Sequence, residues 1–412
     1  MKILFINSVC GIRSTGRICT DLAEEYMAQG WDVRVAYGRF DPAPKYKDIS
    51  VRIGDELTVK IHKAASLLFD RHGLASTAAT KKFLKWADEY DPDVLWLHNI
   101  HGFYLNVKLL FDWIKSRPQM KVKWTLHDCW AFTGHCSYFT MAGCDKWKTH
   151  CEHCPQKKEY PISWFVDRSY VHFDEKKEWF TGVKDMTLIT PSQWLADLVK
   201  ESFLKEYPVE VKHNDIDRNT FKPTESDFRS RYGLEGKIVL LGVALPWDIR
   251  KGLKDIIKLA SMLNGEYAIV LVGLDEEKIK DMSVRFSNAD SKMNGNVLVL
   301  SKKGDNESAA SVEYTASDSI AIPSGVENLY RAITGDETNS SDDSQLGVGK
   351  IIAMPRTNSP KELAEIYTAA DIFIDPTYED NYPTVNLEAL ACGTKVITYD
   401  TGGCAETLEF GK

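Results

Sequence analysis

At 412 residues, 43% apolar and 27% charged, the chain has the size of two ordinary domains, and the absence of any apolar run of eighteen residues excludes a membrane-spanning helix. The net charge of −8 is unevenly divided: residues 1–200 carry 28 Lys and Arg against 24 Asp and Glu, and the remainder 23 against 35. That small basic excess gives no case for a nucleic-acid partner and none is expected; it is compatible with an N-terminal half that makes peripheral contact with an anionic membrane, with ordinary solvated surface charge as the plainer reading.

The first apolar run, Lys2–Asn7, is too short for a signal peptide and reads as a buried strand. A turn-rich loop follows over Ser8–Gly16, then helical spacing over Ile18–Gln29 and strand alternation over Trp31–Tyr37. Strand, helix and strand in succession make a parallel βαβ unit. Val94–Leu97, Val122–Leu126 and Met186–Thr190 continue the strands, and a helix opens at Gln193. This gives one Rossmann-like α/β domain over residues 1–200.

Five of the nine cysteines crowd into residues 129–154, which is not the pattern of a secreted disulfide framework, so a cytoplasmic protein is expected, at most at the inner face of the membrane. Cys136, Cys144, Cys151 and Cys154 are spaced to close around a structural zinc, with Cys129, His135, His150 and His153 as substitutes. Reduced thiols, or disulfides formed on oxidation, are the competing reading.

A second series of strands and helices spans 201–412: strand Lys237–Gly242, helix Leu253–Leu263, strand Tyr267–Gly273, helix Asp275–Met282, strand Lys350–Met354, helix Pro360–Ala370, strand Ile372–Asp375, helix Val385–Ala391 and strand Lys395–Tyr399. Ligands of doubly wound sheets gather beyond the carboxyl ends of the strands, and two such domains are expected to face a cleft. Residues 283–349 break the rhythm with Ser, Asn, Asp and Gly. Short strands are expected over Asn294–Ser301, Ala310–Thr315 and Ser319–Ile322, with a solvated linker over Thr338–Ser344. The stretch reads as a β-type insertion that a short linker could replace.

The stretch from Pro376 to Thr394 is the richest in chemistry. Pro383 opens a helix whose first backbone N–H groups, those of Thr384, Val385 and Asn386, would be free to bind a diphosphate. Glu379 and Asp380 lie in the loop before it, and Glu388 lies one turn in, where a carboxylate can accept hydrogen bonds from a ribose. Equally, the acids could serve as helix caps. Arg250 and Lys251, beyond the Lys237–Gly242 strand, are two adjacent cations at a helix start, a placement unfavourable to the dipole unless an anion binds there. The Gly11–Ile18 glycine loop and His127-Asp128 occupy strand ends in the first half, and His98 and His101 are further candidates for acceptor contact.

The stretch resembles the acidic signature of glycosyltransferase family four, retaining enzymes of the GT-B fold. Asp380 stands at the first acidic position and Glu388, followed by Ala389-Leu390-Ala391-Cys392-Gly393, at the second. Lys251-Gly252 matches the family's Lys-Gly; Ala244 stands where its Arg would be, and Arg250 is expected to replace it. The resemblance implies that Asp380, with Glu379 and Asn381 beside it, touches the donor sugar and that Glu388 holds the ribose. It implies further that Gly16 borders the donor phosphates, that His127 hydrogen-bonds the sugar or departing phosphate, and that Arg356 lines the base. Asn7–Gly11, Ser14–Arg17, Leu126–Trp130 and Pro246-Trp247 look like bacterial exopolysaccharide and colanic-acid type members, which normally continue beyond the Lys412 position into a last helix. The activity implied is retaining transfer from a nucleotide-diphosphate sugar to a glycan or lipid-linked acceptor, with no metal essential to catalysis. A non-catalytic scaffold that binds a nucleotide sugar, and a nucleotide-sugar epimerase, are the alternatives.

Overall fold

In the computed structural model, which describes residues 1–303, 315–336 and 345–411, the chain forms two units, Met1–Asn214 and Asp215–Lys412. The first is built on seven parallel strands: β1 (Lys2–Asn7), β2 (Asp32–Tyr37), β3 (Ser50–Arg52), β4 (Val94–Leu97), β5 (Lys121–Thr125), β6 (Met186–Thr190) and β7 (Val209–Val211). Their order across the sheet is β3-β2-β1-β4-β5-β6-β7. Ile3 to Ile6 are wholly buried, because a parallel strand covered on both faces needs apolar side chains on each. Chain direction across the sheet reverses between β1 and β4, so the loops after these strands open at the switch point.

The first helix runs Arg13–Ala28 and begins within the stretch expected as loop. Its start has no side-chain cap; instead the Gly11 N–H donates to the Gly16 carbonyl at 3.3 Å, folding the turn after β1 over the helix. Gly16 therefore lies inside the helix and is buried. A Cβ there would sit 2.8 Å from Val9 Cγ2, so close packing accounts for this glycine.

The second unit carries β8 (Ile238–Val243), β9 (Tyr267–Val272), β10 (Asp290–Asn294), β11 (Val297–Ser301), β12 (Ile320–Ile322), β13 (Lys350–Met354), β14 (Ile372–Asp375) and β15 (Lys395–Tyr399). The order is β10-β11-β13-β9-β8-β14-β15-β12. β11 pairs antiparallel with both β10 and β13, and the remaining pairs are parallel. The switch point here lies between β8 and β14.

Residues 283–349 are not a separable excursion where they are described. β10 and β11 form one sheet edge and β12 the other, β11 aligning Leu298 with Ala353 and Leu300 with Ile351. A helix not anticipated from the sequence, Val326–Thr334, buries Val326, Leu329, Tyr330 and Ile333 in the same core as Leu240 and Ile269. The expected strand Asn294–Ser301 is found as β11 over Val297–Ser301, and it pairs back on β10 through a turn at Gly295, whose φ of +61° suits glycine. The strand expected over Ala310–Thr315, save Thr315 itself, and the linker expected over Thr338–Ser344 lie outside the described residues.

Candidate functional site

Two loops meet at the switch point of the second unit. The one after β8 is held down by Trp247, whose indole N–H donates to the Val272 carbonyl at 2.9 Å. It ends in the single turn Ile249–Lys251 and then Gly252. Gly252 has φ +67°, and a Cβ there would lie 2.1 Å from the Pro376 carbonyl oxygen in the loop after β14. Only glycine lets the two backbones approach this closely. The Tyr378 N–H donates to the Arg250 carbonyl at 2.7 Å and locks the loops together.

This contact places Lys251 Nζ against the Asp380 carboxylate, side chains only 17% and 23% exposed. Burial would depress the Lys251 pKa, but Asp380 and Asp375 outweigh it and hold it above the usual lysine value. Asp380 stays low because Lys251 and Arg250 overcome the effect of its burial, whereas burial raises the carboxyl of Asp375. Arg250 pairs with Asp248 at 2.9 Å and reaches the Glu379 carbonyl at 3.4 Å. The two cations expected to lack partners in the absence of an anion therefore each have a carboxylate, so their placement alone does not call for a phosphate.

The helix after this loop runs Thr384–Ala391 with Pro383 at its N-cap and no side-chain cap. The Asn386 N–H, expected to be free, donates to the Pro383 carbonyl at 3.3 Å because the first turn closes tightly. Its side-chain amide donates to Thr407 Oγ1 at 2.9 Å, fixing the helix to the turn Ala405–Glu409. Thr384 and Val385 at the helix start are half-buried. Glu388 is buried and accepts a hydrogen bond from Tyr367 Oη at 3.1 Å. Glu379 and Asn381 are buried beside Asp380, and Asn381 N–H donates to its carboxylate at 2.7 Å. Gly402 closes the cluster: at φ +56°, a Cβ would fall 2.0 Å from the Asp380 carbonyl oxygen. Arg356 is not brought into this cluster; it is exposed beyond β13, which β9 separates from β8.

At the switch point of the first unit, His98 Nδ1 and His127 Nε2 are 3.0 Å apart, with their rings stacked. Burial lowers His127 to about 4 and His98 well below its ordinary value, so both are neutral at pH 7. His101 bridges Asp128 at 3.0 Å and Tyr160 Oη at 3.1 Å. The loop carrying these groups rests on residues that sequence reasoning passed over. Lys176 donates to the carbonyls of Trp130 and Thr133, and desolvation pushes its pKa down to about 7. Asp70 pairs with His135 at 2.9 Å. Such partners are distant in sequence and no spacing rule finds them; the Gly402-Gly403 pair was the one legible signal among the residues missed.

Cys136, Cys144, Cys151 and Cys154 line one cavity of about 10 Å³ with Phe139 and Trp147. All are free thiols, and Cys136 and Cys154 are hydrogen-bonded to each other, which lowers Cys154 to about 7. Among the described residues no group of three or more His, Cys, Asp or Glu side chains is gathered to hold a metal ion. The four cysteines are thus neighbours around a packed cavity rather than the tetrahedral zinc set expected. No described helix is long and apolar enough to cross a membrane.

The profile described as Glycosyltransferase Family 4 matches residues 15–220, and that described as Glycosyl transferases group 1 matches residues 237–412. WcaC of Escherichia coli (strain K12), provisionally assigned as a colanic acid biosynthesis glycosyl transferase, is 34% identical over 112 residues, 26% of this chain and 27% of that protein. The D-inositol 3-phosphate glycosyltransferase of Corynebacterium jeikeium (strain K411) is 38% identical over 68 residues, 16% of each chain. These matches span well under two thirds of either relative. Sucrose-phosphate synthase from Thermosynechococcus elongatus superposes with a TM-score of 0.57 at 15% identity, over 98% of this chain and 82% of that one. HepE from Anabaena, in complex with UDP, superposes with a TM-score of 0.54 at 14% identity and the same coverage. At such identities the likeness shows the fold, which is GT-B. With one family profile covering half of the sequence and a second covering most of the rest, the chain belongs to glycosyltransferase family 4.

Proposed function

We propose that this glycosyltransferase moves a sugar, with retention, from a nucleotide-diphosphate sugar to a glycan or lipid-linked acceptor in bacterial surface polysaccharide synthesis. The observation that carries the donor assignment is the buried Lys251–Asp380 pair beside a helix start without a side-chain cap, with Glu388 held by Tyr367 one turn further in. In this reading Lys251 and Arg250 exchange part of their pairing with Asp380 and Asp248 for the donor diphosphate. The N–H groups of Thr384 and Val385 add the favourable end of the helix dipole. Charge building on the departing diphosphate meets groups already in position, and that preorganisation lowers the barrier.

Glu388 accepts the ribose hydroxyls, its orientation set by Tyr367, while Glu379, Asp380 and Asn381 contact the donor sugar. In the first unit His127, neutral at pH 7, both accepts and donates hydrogen bonds and suits a sugar hydroxyl. The chemistry proposed needs no metal, since the cations are side chains. HepE's UDP and the colanic acid assignment of WcaC motivate the donor and acceptor classes.

The test is calorimetric titration of the full chain with UDP- and GDP-sugars, followed by mass spectrometry of a glycan acceptor with and without EDTA. Saturable donor binding that Glu388→Gln weakens, and a product formed equally in EDTA, are expected. Undiminished binding by the variant would place the donor elsewhere.

A further inference from the structure

The outward side of the helix Glu56–Phe69 is apolar where a solvated helix would be polar. Leu57, Ile61, Leu68 and Phe69 are all exposed. Spacings of four, three and four residues put Leu57, Ile61, Ala64 and Leu68 on one stripe, while His62 and Ser66 are buried on the opposite side. A loop distant in sequence extends the same surface. The Trp164 N–H donates to the Leu67 carbonyl at 2.8 Å, seating this loop against the end of the helix. Ile162 is exposed there, and Trp164 and Phe165 are 57% and 72% exposed with their rings in edge contact. Single exposed apolar residues need no explanation, but seven on two adjoining elements mark an interaction surface.

The charges around it point to the partner. Lys60, Lys63, Arg71 and Lys158 are exposed on or beside the two elements. Of the nearby carboxylates, Glu56 pairs with Arg52 and Asp70 with His135. Asp55 at the helix start and Asp167 accept backbone N–H groups but stay anionic, Glu175 lies near Arg71, and Glu159 is exposed beside Lys158, so Lys60 and Lys63 on the helix itself carry the cationic side of the patch. A Trp and Phe at the tip, an apolar helical stripe and a cationic border match the layered chemistry of an anionic bilayer surface. There apolar groups enter the headgroup boundary and lysines meet lipid phosphates.

We propose that this surface docks the first unit on an anionic membrane. The inference goes beyond the transfer reaction and does not depend on which acceptor is used.

The experiment is co-sedimentation of the full chain with vesicles of phosphatidylcholine, with and without phosphatidylglycerol. Salt titration and sedimentation velocity without lipid accompany it. Binding to the phosphatidylglycerol vesicles is expected, weakening with salt. It should fall by about tenfold or more in Lys60→Glu/Lys63→Glu and in Trp164→Ala/Phe165→Ala, with melting temperatures unchanged. Failure of the parent to bind anionic vesicles overturns the proposal, as does full binding by the Trp164/Phe165 variant. A dimer that this variant abolishes would overturn it in favour of a second copy of the chain. Nucleotide titration of the same variants separates the two readings: a parent that binds vesicles as described but no nucleotide refutes the donor assignment and leaves the docking surface standing.

Discussion

Replacing Lys251 by Met tests whether the second unit is organised around the buried charge pair. The substitution keeps most of the length of the side chain and removes its charge, leaving Asp380 and the neighbouring buried Asp375 without their shared cation. Breaking a buried ion pair costs about 3–5 kcal/mol. Lys251 and Asp380 retain 17% and 23% exposure, so the lower end, about 3 kcal/mol, is expected. At roughly 2–4 °C per kcal/mol for a domain of this size, calorimetry should show the second unit melting about 6–12 °C earlier. In the variant Asp380 keeps only the weaker support of Arg250 and the Asn381 N–H, and burial is expected to lift its folded-state pKa above its unfolded value. The deficit relative to the parent should therefore shrink as pH falls through that raised pKa and Asp380 is protonated. The double variant Lys251→Met/Asp380→Asn removes both charges of the pair and should recover part of the stability, Asp375 still lacking the cation, while remaining unable to bind a nucleotide sugar. A single variant that melts with the parent, or a double variant that is no more stable than the single, would refute the account.

Gly252→Ala should destabilise the second unit by about 1–3 kcal/mol in urea and weaken nucleotide binding, since its Cβ would meet the Pro376 carbonyl at 2.1 Å. Glu388→Gln should weaken donor binding by about 1.5–3 kcal/mol in titration calorimetry, and Tyr367→Phe, which removes only the orienting hydroxyl, by less. Replacing residues 283–349 with a short Gly/Ser linker should abolish soluble expression, because it strips strands from both sheet edges and the helix Val326–Thr334 from the core. Denaturation at stepped pH should show stability falling below pH 6.5. His127, lowered to about 4, and His62 and His172, each to about 3, are neutral when folded but protonate in the unfolded chain. Each contributes a loss of up to about 1.4 kcal/mol per pH unit, whereas His135, whose pKa is raised, acts only above pH 6.5 and offsets none of this loss. A flat profile from pH 6.5 to 4.5 would contradict this.

The two sheets were legible in the sequence because a parallel strand buried on both faces must be a continuous apolar run, as at Lys2–Asn7, Ile238–Val243 and Ile372–Asp375. The loops bearing Lys251 and Asp380, and the helix start that leads to Glu388, were legible for the same reason: they follow such runs, and their residue types are those that bind phosphate and hydroxyl groups. What the sequence left undecided depends on partners far along the chain. Gly16 looked like a loop glycine until the turn after β1 folded over it and made it a helical packing position. Strands were expected at the apolar runs now seen as β11 and β12, but that they extend the main sheet rather than a separate subdomain was decided by the open edges that β13 and β15 offer, and the polar β10 forms only by pairing with β11. The spacing of Val326, Leu329, Tyr330 and Ile333 was there to be read, but only the core they enter distinguishes them from a polar excursion. Sequence alone presented Arg250 and Lys251 as cations awaiting an anion. The tertiary structure gave each a carboxylate, because partners are chosen by distance, and Asp380, 129 residues from Lys251, is brought within reach only where the loops after β8 and β14 close over Gly252.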